Sequence, residues 1–315
     1  MRTLFALALS AACVAAQAQS YPNRAVRVIV AAQTGGPDIV ARVVAAELQA
    51  QMGQPFVVEN QGGANGIVGA TSVAKAAPDG YTLLVYSSGF VINPAMHKSL
   101  PYDTEKDFTP VTNLVSNGGL FFAVANNLPP KTLQEFVDYA KKSPNPLAYS
   151  TPGVGNTWHL AMEVFNHMNG LKMTHIPYKG GGPATAALAS GEVQVMFASP
   201  APLMPHYKGG KVRVLATWGE SRHPALPDVP TLKELGYDAQ FSQWTGLFVP
   251  AGTPEPVIAK LREAARAAIE DPAFKAALAK VETPVQYLDQ PQFRAFWDAD
   301  ASKLANVVQR IGKVE

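Results

Sequence analysis

RAVRVIVAAQTGGPDIVARVVAAEL, residues 24–48, decides how the rest of the chain is read. Its first nine residues are rich in β-branched side chains and read as a buried strand. Gly35, Gly36 and Pro37 then turn the chain, and Ile39, Val40, Val43, Val44 and Ala46 to Leu48 recur at helical spacing. The strand signal returns in PFVVEN (55–60), the glycine-rich QGGANGIVGA (61–70) leads into another helix, and YTLLVYSS (81–88) is a third strand. The order βαβαβ predicts a parallel sheet with helices on both faces.

Working outward, a second α/β unit follows. Strands are expected at 119–125, 148–150, 173–178, 193–197 and 212–217, with a helix at 132–142, another after the loop at 151–157, and short helices between the later strands. TGLFVPAG (245–252) is one more strand, after which the pattern is mostly helical over 254–270, 272–281 and 291–311. The polar, proline-rich stretch 219–230 reads as surface loop. These last helices have no sheet of their own nearby and would return to the first unit. The expected division is therefore 19–121 with 244–315 in one domain and 122–243 in the other. Strands 119–125 and 245–250 would cross between them as a two-strand hinge, and ligands favour the cleft between hinged domains.

The 315 residues begin with a segment that is not expected to be part of the folded protein. Arg2, the apolar run Leu4 to Val14 and the small-x-small site Ala16-Gln17-Ala18 read as a secretory signal peptide, 1–18, removed on export. A lipobox at Ser10 to Cys13 is a poor match, because Ser10 stands where a large aliphatic residue is wanted. The single cysteine, Cys13, lies in this segment, so the mature chain needs no disulfide. No later run reaches the ~18 apolar residues of a membrane span. A formal charge of +2, with 16% charged residues, offers no field suited to nucleic acid or an anionic membrane. An exported, periplasmic, soluble monomer is expected.

Two loops share one design, in which a strand ends, glycines turn and a helix begins. The first holds Gln33, Thr34, Gly35, Gly36 and Asp38; the second, STPGVGNTWHL (150–160), holds Thr151, Gly155, Asn156, Thr157 and His159. Neither is a P-loop, since no Gly-Lys-Ser/Thr follows, and Trp158 stands where a dinucleotide fingerprint needs its third glycine. Such loops leave backbone N–H groups free at the positive end of a helix dipole, which suits an anion without any side-chain charge. An ordinary turn with Asn156 or Thr157 as N-cap is the plainer alternative. Asp38 would repel a carboxylate and lies four residues before Arg42, which favours an ion pair or a cap. Ser87, Ser88 and Phe90, with Ala198 and Ser199, end strands in the two units and could read the rest of a ligand.

Catalytic and metal-binding sets are hard to assemble. The six histidines form no HExxH, His159 and Glu163 have no third ligand at useful spacing, and no GxSxG elbow is present. No cofactor, metal or catalytic residue is expected, and His159 reads as a hydrogen bonder on a helix face.

Taken together, VENQGGANGIVGA, APDGYTLL, NPAMHKSLPYDTEKDFTPV, GVGNTWHLAMEVF, HIPYKGGGPA and FVPAGTP resemble the substrate-binding proteins of tripartite tricarboxylate transporters, the Bug (Bordetella uptake gene) family. The resemblance runs from Tyr21 to near the C-terminus. It implies an α/β, two-domain periplasmic-binding-protein fold with two hinge strands (type II). A small carboxylate would be held in the cleft, mainly by backbone groups and ordered waters from loops 31–38 and 151–157. It implies delivery to inner-membrane permease subunits, although some members serve signalling. Two departures stand out: Thr34-Gly35-Gly36-Pro37-Asp38 is one residue shorter than the family's Pro-Gly-Gly-x-x-Asp, and Ala198 replaces a residue that is often polar.

The expectation is thus a periplasmic solute-binding protein, not an enzyme, that captures a small organic carboxylate. The alternatives are a sensory subunit that presents its ligand to a membrane sensor kinase and, more remotely, an exported hydrolase.

Overall fold

The computed structural model describes residues 21–33, 36–117, 119–219, 221–237, 243–280 and 285–311. The expected signal segment, and Thr34 and Gly35 of the first loop, lie outside the described residues.

β1 (Val26–Val30) pairs in parallel with β2 (Phe56–Asn60) on one side and with β3 (Thr82–Ser87) on the other. The βαβαβ reading of the opening stretch therefore holds. α1 (Gly36–Met52) and α2 (Ile67–Ala74) supply the crossovers. Val26, Val28 and Val30 face a core built with Val40, Ala41, Val44 and Leu48 of α1, while Ile29 faces the opposite core with Ala70 and Val73 of α2. Burial on both faces is why the strand reads as a nearly continuous apolar run. Arg27 breaks the run and stays at the surface, where Nε and Nη2 both donate to the Glu59 carboxylate at 2.8 Å on the neighbouring strand.

The same sheet is completed by strands from further along the chain. β10 (Gln243–Pro250) lies antiparallel between β3 and β4 (Phe108–Asn117), and β11 (Val285–Leu288) closes the edge, giving the order β11-β4-β10-β3-β1-β2. Its faces are covered by α1 with α8 (Glu255–Glu270) and α9 (Pro272–Lys280) on one side, and by α2, α3 (Gly89–Met96) and α10 (Gln290–Ile311) on the other.

The second sheet has the order β7-β6-β8-β5-β9, from β5 (Leu120–Ala125), β6 (Ala148–Thr151), β7 (Thr174–Pro177), β8 (Val195–Ala198) and β9 (Val212–Trp218). α4 (Leu133–Lys142), α5 (Thr157–Asn169), α6 (Gly181–Ser190) and α7 (Pro200–Lys208) alternate with them. The chain passes between sheets twice, from β4 to β5 and from β9 to β10. The ends of the two passages are paired: Leu120 with Trp218, and Gln243 with Asn117. Gly119 sits at φ +110 in the first passage, and a Cβ there would lie 1.9 Å from the Trp218 carbonyl oxygen, so no side chain fits.

Three elements escape the sequence pattern. β4 carries Pro110, which argues against a central strand, yet it sits between β10 and β11. β11 pairs only with Asn113 and Val115, so Pro110 is flanked on one side alone, by Phe248 of β10, where the ladder also shifts register between Leu247 and Phe248. β11 is four residues long, too short for a clear period, and α3 is an eight-residue helix with Pro94 inside it.

Candidate ligand-binding site

The second glycine loop runs from the end of β6 to the head of α5. Asn156 is the N-cap of that helix, its Oδ1 accepting from the His159 amide at 3.0 Å. The Gly155 amide donates to His159 Nδ1 at 3.1 Å, so this N–H is already satisfied from below. Among the described residues, the amides of Thr157 and Trp158 find no acceptor, and Asn156 Nδ2 is buried without a partner. These are the free donors at the positive end of α5.

Across from them, β3 ends at Ser87 and α3 begins after Ser88. Ser88 Oγ lies 2.7 Å from Thr157 Oγ1, with both residues buried. A second bridge comes from Asn65, in the turn Ala64–Gly66 before α2. Its Nδ2 donates to the Gly155 carbonyl at 3.2 Å and to Asn93 Oδ1 at 2.8 Å. Asn93 Nδ2 in turn reaches Tyr86 Oη at 2.9 Å and Tyr102 Oη at 3.1 Å, and Tyr86 Oη donates to the Asn65 carbonyl. Burial raises the pKa of both tyrosines, that of Tyr102 to about 12, so both remain protonated. Elements carrying the two sheets therefore meet at a polar seam whose members, Ser88, Asn65, Gly155 and Thr157, carry no formal charge.

The first loop lies beside Asn65's turn. A Cβ on Gly62 would stand 2.6 Å from the Gln33 amide nitrogen, and one on Gly66 would stand 2.6 Å from the Ala31 carbonyl. Gln33 is exposed and Gly36 opens α1, whereas Thr34 and Gly35 are outside the described residues. The Asp38 carboxylate is engaged by its own neighbours: Oδ1 takes Arg42 Nε at 3.0 Å and Asn60 Nδ2 at 2.8 Å. That arrangement ties the start of α1 to the end of β2.

The remaining candidates divide. Thr151 lies at the base of the second loop, with Oγ1 2.6 Å from His175 Nε2 and donating to the Gly153 carbonyl at 3.0 Å. Ser87 ends β3 paired with Thr245. Phe90 is not brought to the seam: its ring is fully buried among Tyr86, Tyr102, Phe108, Phe248 and Trp297. An apolar ring in the first turn of a helix that lies on the sheet packs into the core. Ala198 is buried in the ladder opposite Phe121, and Ser199, at the N-cap of α7, makes no side-chain capping bond. Trp158 and Trp244 are buried, with indole N–H groups directed to Gln243 Oε1 at 3.3 Å and Asp300 Oδ2 at 2.7 Å.

Asn65 is the residue that sequence reasoning missed. It appeared only within a glycine-rich lead into a helix. The available signal was Asn-Gly at 65–66, a pair that tolerates positive φ; Asn65 sits at φ 50, ψ 36. A cavity of about 880 Å³ lies elsewhere, between α3, residues 97–105 and α10, and shares no residue with either glycine loop. Among the described residues no cluster of His, Cys, Asp or Glu could hold a metal ion, and no helix is long and apolar enough to cross a membrane.

Comparison with known proteins places this geometry. The profile of the tripartite tricarboxylate transporter family receptor matches residues 40–313. The periplasmic binding protein BugD is 31% identical with a TM-score of 0.88, over 93% of this chain and 99% of that one. MatC from Rhodopseudomonas palustris, solved with bound malate, is 34% identical with a TM-score of 0.86, over 91% and 100%. An R. palustris protein solved with adipate is 29% identical with a TM-score of 0.88, over 93% and 99%. The two-sheet architecture is that of the periplasmic binding proteins, and these matches are to proteins that bind, not to enzymes. By profile and by fold, the chain belongs to the tripartite tricarboxylate transporter receptor family of solute-binding proteins.

Proposed function

We propose that the protein captures a small organic carboxylate, with a dicarboxylate the first choice, at the seam between the two glycine loops. The observation that carries this reading is the head of α5. There, among the described residues, the Thr157 and Trp158 amides and Asn156 Nδ2 lack acceptors beside the Ser88–Thr157 hydroxyl pair, and no acidic side chain joins that hydrogen-bonded seam. Oriented N–H groups at a helix N-terminus favour an anion by up to about 2 kcal/mol in partly buried geometry. Malate and adipate, bound by the two R. palustris relatives, are both dicarboxylates and support the choice.

On this reading 19–121 with 244–315 form one lobe and 122–243 the other, the passages at 117–120 and 218–243 act as hinges, and Gln33, Thr34, Gly35 and Gly36 complete the grip. Closing the lobes excludes water and strengthens each N–H to oxygen bond. A ligand favours the closed state only through tighter binding to it. The protein is exported, loses residues 1–18, works in the periplasm and hands its ligand to membrane permease subunits.

The test is a thermal-shift screen of the mature protein against mono-, di- and tricarboxylates and their amides. A true ligand raises Tm with concentration, by about 2.7 kcal/mol of stabilisation at one hundred times Kd. A protein stabilised by the amides and by no acid would sink the proposal.

A further inference from the structure

We propose that the stacked imidazoles of His159 and His175 position the second glycine loop, and that they hold it only while His159 is uncharged. The inference rests on the reading that loop 151–157 grips the ligand, but the clamp itself can be judged without any ligand.

The loop is tied at both ends to one ring pair. At its far end Gly155 N–H donates to His159 Nδ1 at 3.1 Å; at its near end Thr151 Oγ1 lies 2.6 Å from His175 Nε2. The rings are 4.0 Å apart at 15°, and Tyr149 stacks on both, at 5.0 Å from His175 and 6.2 Å from His159. The clamp thus joins α5 to β6 and β7 beneath the loop. Gly155 at φ +78 and Gly153 at φ +147 lie in the segment so held; its other ties go mainly to carbonyls, from Asn65 Nδ2 to Gly155, from Thr151 Oγ1 to Gly153 and from the Gly180 amide to Pro152, so the histidine acceptor is what holds the Gly155 N–H.

The donor on Gly155 fixes the chemistry. A backbone N–H requires a lone pair on Nδ1, so neutral His159 carries its proton on Nε2. Protonating the ring places an N–H at Nδ1, donor against donor, and puts a cation 4.0 Å from the second imidazole. The groups facing the pair are Tyr149, whose hydroxyl donates to Glu163 Oε1 at 2.5 Å, and Glu163 itself, which also accepts from Asn166 Nδ2 at 3.2 Å. Burial disfavours charge on both rings, His159 disfavours it further on His175, and Glu163 draws a proton toward His175. The balance keeps both neutral down to about pH 4. The same histidines could instead be packing residues only, in which case losing the acceptor nitrogen would leave the loop unchanged.

The experiment uses the isotopically labelled mature protein without ligand. It follows Gly155 amide exchange relative to its intrinsic rate, together with the ring nitrogen shifts of His159. In the wild type the Gly155 amide is protected at pH 7, His159 Nδ1 is unprotonated, and both change together as pH falls toward 4. His159→Phe keeps a ring in the stack and loses the acceptor; Gly155 protection drops about fivefold, the value of one ordinary hydrogen bond. His159→Asn offers Oδ1 near the position of Nδ1; it restores protection and removes the acid-linked loss. Gly155 protection unchanged in His159→Phe, or unchanged in the wild type from pH 7 to pH 4, overturns the proposal. Should His159→Phe fail to fold, the wild-type titration and His159→Asn decide alone. A parallel titration with malate separates the two readings: no acid binding with an intact, proton-sensitive clamp removes the proposed function and leaves the clamp standing.

Discussion

Ser88 Oγ and Thr157 Oγ1 stand 2.7 Å apart at the junction of β3 with α3 and of the second loop with α5, both shielded from water. Each hydroxyl can donate once, and their mutual bond leaves one proton to spare for a third group. On the proposed function that third group is a ligand oxygen, and the pair then links the meeting of the two sheets to the recognition of an acceptor.

Removing one member of this pair leaves the other buried and unsatisfied. Ser88→Ala and Thr157→Val are each expected to weaken ligand binding by about 1–3 kcal/mol, roughly five- to 150-fold. The double variant costs less than the sum, since no orphan hydroxyl remains. Calorimetric titration of the four proteins forms a double-mutant cycle. Strictly additive losses would show that the two hydroxyls act apart from one another.

Asn65 bridges Gly155 and Asn93 through one amide group, at 3.2 and 2.8 Å. Asn65→Asp keeps the shape and the tolerance for positive φ but turns both contacts into oxygen facing oxygen. The variant should lose about 1–3 kcal/mol in denaturant unfolding and scatter as a more open particle at small angles. Unchanged scattering with unchanged stability would remove Asn65 from the seam.

How far the fold was legible follows from the residues that carry it. Val26 to Val30 and the apolar spacing of α1 announce a parallel βαβ start because burial on both faces leaves a pattern in one dimension. Pro110 hid β4, because the proline lies beyond the stretch of β4 that pairs with the short edge strand β11, a placement that only the fold reveals. Of the candidate site, the sequence pattern carries the two glycine turns and no further detail. Asp38 and Phe90 have suitable chemistry and position in the chain, yet Arg42 and Asn60 occupy the first and a cluster of rings buries the second. Asn65 carries no charge and lies in a turn, and only the fold brings it to Gly155.

Gly155 allows space and charge to be tested separately. A Cβ there meets Met96 Cε at 3.6 Å, an ordinary contact, so Gly155→Ala pays mainly for φ +78, about 1 kcal/mol of stability. Gly155→Asp adopts that conformation more readily, and its carboxylate is favourably placed against the N-terminus of α5. It should fold, yet bind the acid at least about thirtyfold more weakly than Gly155→Ala, because the ligand's charge meets one already fixed there. Equal affinities in the two variants would place the anion elsewhere.

Asp300 gives the fold a pH dependence of its own. The residue is 5% exposed, its Oδ2 accepts from Trp244 Nε1 at 2.7 Å, and burial pushes its carboxyl up to about 6 from an ordinary 3.8, opposed by the Trp244 bond and by Lys303. A carboxyl whose pKa is higher in the folded state binds more protons there than in the unfolded chain. Its contribution to stability is present in full below pH 3.8 and lost as pH rises through about 6. Asp300→Asn keeps an acceptor for the indole and never ionises. Its stability relative to the wild type should climb by about 2–3 kcal/mol between pH 4 and pH 7, equivalent to several degrees in Tm, and level off above pH 7. The informative quantity is the difference between the two proteins as a function of pH, because other groups shared by both cancel in it. A difference that stays flat from pH 4 to pH 7 would show that Asp300 ionises at no cost to the fold.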